Sequence, residues 1–299
     1  MSAQALSLVL ITLAAAVVNG SLGYGFSSIT VPLALLFLAN RVLNPAMVLI
    51  EVALNAYVLW VNRRALPGIW RRMLPIVVGL LPGVILGTVI VAKVHPGWLR
   101  FYTYLVLLPL ILLQAAGFRR PIKSERSMGL AFGSGLGVLY SVTTISGPPL
   151  AVMLNNQGLA KNEFRAALGF IRLAESTLTA IAYASGGLFT STSLRLIPQI
   201  LPSVAIGVPI GAQVIRHVRP ETFRRVCMSF DAWIVAFGIS TLLRDLGLVA
   251  GTPAYIVLAA VVVIDAAMLY RFFSSPKRET DGQLPLSPDL TSPGQKVEY

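Results

Sequence analysis

The sequence predicts an all-α, polytopic membrane protein with two inverted repeats and broken or re-entrant helices. Three observations predict it. First, 56% of the 299 residues are hydrophobic and only 12% are charged, about half the charge of a soluble domain. Second, Met73–Ala92, Phe101–Phe118 and Leu196–Ile215 each run 18 or 20 residues without a charge, and about 20 apolar residues cross a bilayer. Third, glycine and proline interrupt apolar runs at corresponding places in the two halves. Backbone in hydrocarbon must satisfy its own hydrogen bonds, and continuous apolar runs select helices over a barrel.

Eleven apolar elements follow in order, at 2–20, 24–39, 46–63, 72–92, 98–118, 128–145, 147–157, 166–185, 195–215, 223–243 and 252–272. The first carries no Lys or Arg ahead of it, so it reads as a retained span rather than a cleaved signal. Whether 24–39 and 147–157 are re-entrant or spanning stays open; the second is too short to span alone. Residues 275–299 are rich in Pro, Ser, Gly and charge and read as a disordered tail. The predicted organisation is an N-terminal repeat at 1–118, an inverted C-terminal repeat at 128–244, an extra transmembrane helix at 251–273, and the tail.

Net charge is +12. In a soluble chain that would suggest nucleic acid; here the positive residues cluster in short loops and set topology. With the loop at 63–72 placed inside and each element counted as a reversal, 17 Lys and Arg fall inside, in clusters that include Arg224 and Arg225. Five fall outside: Arg41, Lys93, Arg100, Arg195 and Arg244. The C-terminus is therefore expected in the cytoplasm, and the chain is read as a multi-pass protein of the cell inner membrane.

The repeat is visible in Gly83-x3-Gly87-x8-Pro96-x3-Arg100, which matches Gly207-x3-Gly211-x8-Pro220-x3-Arg224 without a gap. Pro32-Leu33-Ala34 matches Pro149-Leu150-Ala151, and a Gly-rich segment precedes each, at Gly20–Gly25 and Gly133–Gly137. Each half counts five reversals, so the second is inverted. Inverted repeats with broken helices place a transporter's substrate near the midplane. The glycine pairs also have the spacing that lets helices pack closely.

Two breaks are expected. The first spans Gly20–Pro32, with Gly23, Gly25 and Ser27; the second is Ser141–Pro149. Ser146-Gly147-Pro148-Pro149 reads as the start of a half-helix, because proline is at home in a first helical turn. A helix N-terminus holds an anion with its free amides, and Thr143, Thr144 and Ser146 would add hydroxyl donors. A kinked packing helix is the competing reading of either break. Glu51, Arg172, Glu175, Asp231 and Asp265 lie within apolar runs, where a charge costs at least about 2.5–3.5 kcal/mol and so faces a partner or water. Arg172 and Glu175 are three apart on one helix face. They form either a buried pair or a site in which Arg172 attracts the anion while Glu175 or Glu51 exchanges a proton. Asn55 follows Glu51 by one turn, and by the Pro32/Pro149 register it is the counterpart of Arg172.

At these residues the chain resembles the sulfite exporter TauE/SafE family, over roughly 5–245. The resemblance is carried by Asn19–Leu36, by its recurrence around Ser146–Ala151, by Lys161-Asn162-Glu163-Phe164-Arg165-Ala166, and by the duplicated Gly-x3-Gly…Pro…Arg module. The family's usual three consecutive glycines are only Gly23-Tyr24-Gly25 here. What the resemblance implies is a secondary transporter for sulfur-containing anions (sulfite, sulfonates, thiosulfate) or other small organic anions, with a proton or sodium as coupling ion. An anion channel is the alternative, and an intramembrane enzyme a weaker one: no His lies mid-span to serve a serine nucleophile. There is no phosphate-binding P-loop. One cysteine, and two histidines at span ends, leave no metal set, and no cofactor or nucleic-acid partner is implied. The partners expected are the anion, the coupling ion and lipid; oligomeric state is not legible.

Overall fold

A computed structural model of the chain describes residues 3–115, 125–155, 157, 159, 161–214, 217 and 220–274. Among them the helices are α1 (Ala3–Leu22), α2 (Phe26–Ala34), α3 (Asn40–Val61), α4 (Leu66–Lys93), α5 (Pro96–Ala115), α6 (Glu125–Thr143), α7 (Gly147–Asn155), α8 (Lys161–Ser185), α9 (Ser191–Val214), α10 (Pro220–Asp245) and α11 (Ile256–Ser274). Short 3₁₀ turns precede α4 and α11. The described residues contain no strand. The tail at 275–299, most of the basic loop at 118–127, and Arg216 and Arg219 lie outside the described residues.

Every apolar element of the sequence corresponds to one helix. Among the described residues six stretches are long and apolar enough to cross a membrane: Gln4–Leu22, Asn40–Val61, Arg63–Lys93, Ser191–Val214, Arg225–Asp245 and Thr252–Ser274. Pro96–Leu112 and Gly129–Thr143 are shorter apolar helices. The α8 helix is 25 residues long but carries Arg172 and Glu175, and its middle turns are walled by protein: Ile171, Arg172, Glu175, Ser176 and Thr179 are all buried. The first break shortens its helix further than expected. In place of 24–39, α2 has nine residues, as does α7. At 1.5 Å per residue each is about 14 Å long, roughly half the hydrocarbon thickness. Conversely, α3 begins at Asn40, earlier than the apolar run, because its polar first turns find partners. The Asn40 amide donates to Thr103 Oγ1 at 3.3 Å, and that of Asn44 to the Val142 carbonyl at 2.7 Å.

Glycine seams hold the bundle. α4 packs along α6, and α1 along α9; α3 crosses α8, and α5 lies against α10. In the first seam a Cβ on Gly83 would fall onto the Ser134 carbonyl, and one on Gly133 onto the Ile76 carbonyl. In the second, Gly211 faces the Val17 carbonyl and Gly20 the Val208 carbonyl just as closely. Hydroxyls stitch the second seam: Ser21 donates to the Gly211 carbonyl at 2.9 Å and Ser203 to the Val9 carbonyl at 3.1 Å. Close backbone approach through small residues is how helices associate when lipid is the solvent. The Gly133–Gly137 segment therefore belongs to a packing seam within α6, whereas Gly20–Gly25 runs out of α1 into a break. The two glycine-rich segments are not counterparts.

Two of the arginines expected outside, Arg41 and Arg100, bind backbone carbonyls. The Arg41 guanidinium donates to the carbonyls of Val91, Ala92 and Val94 at 2.9, 2.6 and 3.0 Å, closing the C-terminus of α4, where a cation also meets the negative end of the helix dipole. Arg100 donates to the Leu38 carbonyl at 3.0 Å. Arg225 leaves the inside loop cluster altogether: it is buried and paired with Asp265 of α11 at 2.8 Å.

The seam makes a test within one helix turn. A Cβ at Gly137 would sit 2.6 Å from the Leu80 carbonyl oxygen and 2.9 Å from the Val84 nitrogen, whereas one at Gly135 meets nothing within 4 Å. Gly137→Ala is expected to lower the melting temperature of the detergent-solubilised protein, by the equivalent of about 1–3 kcal/mol of overpacking. Gly135→Ala is expected to hold or raise it, since alanine favours a helix by up to about 1 kcal/mol. Equal effects would show that the seam is not tightly closed.

Candidate functional site

Both expected breaks form. Between α1 and α2, Gly23 and Gly25 take φ of 83° and 106°, left-handed values that glycine adopts without a Cβ penalty. Between α6 and α7 the corresponding turn is made by Thr144 at φ 56°. For a β-branched residue that conformation costs on the order of 1–3 kcal/mol. The breaks touch: a Cβ on Gly147 would lie 3.4 Å from the Tyr24 side chain.

The helix boundaries of the two expected repeats line up at one offset. Leu22 and Thr143, Phe26 and Gly147, and Asn40 and Lys161 are each 121 residues apart. In that register Gly23 corresponds to Thr144, and both take positive φ. It also corrects the register drawn from Pro32 and Pro149. Pro32 lies late in α2, while Pro149 is in the first turn of α7, so the shared Pro-Leu-Ala is coincidental. Asn55 is therefore not the counterpart of Arg172. Glu51 is.

Glu51 and Arg172 meet where α3 crosses α8. Arg172 Nη2 donates to Glu51 Oε1 at 2.6 Å, with the two side chains 2% and 0% exposed. The same oxygen accepts the Ser27 hydroxyl, from the first turn of α2. Glu51 Oε2 accepts the Tyr140 hydroxyl of α6 at 2.6 Å. The sequence paired Arg172 with Glu175 on one helix face. The long guanidinium stem instead reaches across to α3, and Glu175 Oε2 accepts the Ser146 hydroxyl at the second break. Glu175 remains within electrostatic reach of Arg172 and Glu51. Arg172 Nε and Nη1 and Glu175 Oε1 are buried with no hydrogen-bond partner among the described residues. Asn55 stands at the margin, its amide 3.4 Å from the Arg172 carbonyl.

The hydroxyls expected as anion donors all have partners within the protein. Thr143 donates to the Leu139 carbonyl at 2.7 Å and accepts the Ile145 amide at 3.0 Å. Thr144 donates to the Thr143 carbonyl at 2.7 Å. Ser146 and Ser27 donate to the two glutamates. The amides also redistribute. A helix leaves its first N–H groups without intrahelical acceptors, but Pro148 and Pro149 have none to give. The start of α7 thus offers little beyond Gly147, whereas α2 begins Phe26-Ser27-Ser28, with an N–H on each. As an amide cradle the first break is the better equipped.

Tyr140 carried no signal in the sequence: an isolated tyrosine in an apolar run reads as packing. Asp265, in contrast, lies away from the breaks, held by Arg225 and by Trp233 Nε1 at 3.1 Å. Asp231 lines a small cavity beside Tyr24, Gly25, Ser28 and Pro148, between the two breaks.

The profile of the sulfite exporter TauE/SafE family matches residues 8–241. The chain belongs to that family. The TauE/SafE match takes in both breaks and the Glu51–Arg172 cluster and leaves out α11. A curated relative from Cupriavidus necator, "Probable sulfite/organosulfonate exporter TauE", is 28% identical over 179 residues, 58% of this chain and 68% of the relative. No solved structure matches. As a TauE/SafE member the chain is a multi-pass membrane transport protein.

Removing the carboxylate strands three donors. Glu51→Ala is expected to destabilise the protein by about 3–5 kcal/mol, the usual effect of breaking a buried pair from one side. Replacing both partners, as Glu51→Ala with Arg172→Met, should be less damaging than the sum of the single changes. Thermal melts of the four proteins measure the cycle, and additivity would mean that the ion pair carries no coupling.

Proposed function

We propose that this chain is a secondary transporter that moves small sulfur-containing anions, such as sulfite, sulfonates or thiosulfate, across the cell inner membrane by alternating access. The observation that carries the reading is Arg172: a guanidinium buried beside both helix breaks, with two donor nitrogens unfilled. An Arg fork suits the planar pair of oxygens on an oxyanion. Family membership and the exporter name of the Cupriavidus necator relative support the substrate class. The α2 amides, the Gly147 amide and Arg172 form the anion's surroundings, with Gly23 and Gly25 shaping the turn.

The exchange of packing partners supports two inverted repeats, 1–118 and 128–244. The first helix of each packs on the fourth helix of the other, while α3 meets α8 and α5 meets α10. Counterparts then meet only on the pseudo-symmetry axis, which is where Glu51 and Arg172 touch. Alternating access follows as rocking of the α1–α9 pair against the α4–α6 pair about that contact, each pair drawing one helix from each repeat. The C-terminus is cytoplasmic in this reading, and α11 is a peripheral addition, largely exposed and anchored by Asp265.

Arg172→Lys is the cleaner test, because lysine still meets Glu51 but loses the fork. Transport of labelled sulfite, thiosulfate and taurine into proteoliposomes at sub-saturating concentration should fall about a hundredfold for the substrate, as two charge-assisted hydrogen bonds of about 1.5 kcal/mol each are lost. A monodisperse variant with unchanged transport would end the assignment.

A further inference from the structure

Glu51 occupies the position in which a transported anion would sit. Its Oε1 rests between the Arg172 guanidinium and the Ser27 hydroxyl, at the N-terminus of α2. Those are the surroundings that recognise an oxyanion: an Arg fork, a hydroxyl and helix-end amides. Oε2 is closed by Tyr140. A substrate anion cannot share this space with an ionised Glu51, because two like charges would lie within bonding distance of each other in a low-dielectric interior.

We infer that the Glu51 carboxylate is the resident ligand of the substrate site, and that an anion enters only when a proton has taken Glu51 off Arg172. The inference rests on the Arg172 anchor proposed above and specifies how that site is coupled. Protonation of Glu51 removes its charge and its claim on the guanidinium. Arg172 Nη2 then joins Nε and Nη1 as a free donor, and the anion replaces the carboxylate as the counter-charge. When the anion leaves, Glu51 releases its proton and closes on Arg172 again, so the buried guanidinium has a counter-charge both with the anion bound and with the site at rest. The site therefore holds anion and proton together, and a monovalent sulfonate moves with one proton and no net charge.

The groups that face Glu51 leave few other proton carriers. From α8 these are Arg172 and Glu175, and from α6 Tyr140. The α2 helix contributes only the neutral Ser27. The charges of α4 (Arg71, Arg72, Lys93), α5 (Arg100) and α9 (Arg195) lie within two turns of their helix ends. Among the described residues the competitors are Glu175, whose hydrogen bond to Ser146 places it at the second break, and Asp231 of α10, which lines the cavity between the breaks.

Methanesulfonate, whose own charge does not change across the working pH range, is the probe. Calorimetric titration of the purified full-length protein in two buffers of different ionisation enthalpy reads the protons taken up per anion bound. The wild type should take up about one, and its affinity should fall about tenfold per pH unit on the alkaline side. Glu51→Gln should bind methanesulfonate with no proton uptake, at the wild type's low-pH affinity at every pH. If Glu51→Gln does not fold, Glu175→Gln and Asp231→Asn decide: uptake persists in both if Glu51 is the carrier. Binding by the wild type without proton uptake, uptake retained in Glu51→Gln, or uptake lost in Glu175→Gln or Asp231→Asn each overturns the inference while leaving the Arg172 reading intact. Proton-linked binding that Arg172→Lys leaves unweakened overturns the anchor, and an absence of binding at every pH counts against both.

Discussion

A single carboxylate ties the interior of this bundle together. Glu51 accepts from α2, α6 and α8 while standing on α3, so four helices converge on two oxygen atoms. In the bilayer interior neither the carboxylate nor the guanidinium is tolerable alone. Each makes the other affordable, and the pair fixes where α3 crosses α8. The remaining donors on Arg172 are then left facing inward beside the helix breaks rather than toward lipid.

The seams explain why the breaks can exist. Interrupted helices expose backbone groups, which hydrocarbon does not forgive. Here α1 and α6, the helices that carry the breaks, are each clamped along a glycine-lined partner, α9 and α4. The unwound turns at Gly23–Gly25 and Thr144–Ser146 are thereby held inside protein. Positive φ at Gly23 and Thr144 turns the chain without a long loop. Rigid glycine seams thus flank a polar crossing at the centre.

Much of this was legible in the sequence, and the reasons differ by level. Apolar runs marked every helix, because lipid demands continuous apolar length. Glycine and proline marked both breaks, because few residues turn a buried chain. In-span charges marked Glu51, Arg172 and Glu175. Their pairing was not legible. Spacing on one helix joined Arg172 to Glu175, since helical periodicity is visible in sequence and a crossing of distant helices is not. The Pro-Leu-Ala match misled the register for a related reason: three apolar-compatible letters recur by chance, while the matched helix ends that align Glu51 with Arg172 need a fold. Tyr140 and the engaged hydroxyls of Thr143, Thr144 and Ser146 lay beyond reach, since a hydrogen-bond partner is a property of three-dimensional position.

The central claim is that a substrate anion takes the place of the Glu51 carboxylate on Arg172. A crystal structure at acidic pH with 2-bromoethanesulfonate, located by the anomalous signal of its bromine, tests it most directly. The account predicts sulfonate oxygens on the Arg172 guanidinium, beside the first turn of α2, with Glu51 swung away. A ligand bound elsewhere, with the 2.6 Å Glu51–Arg172 contact intact, would contradict it.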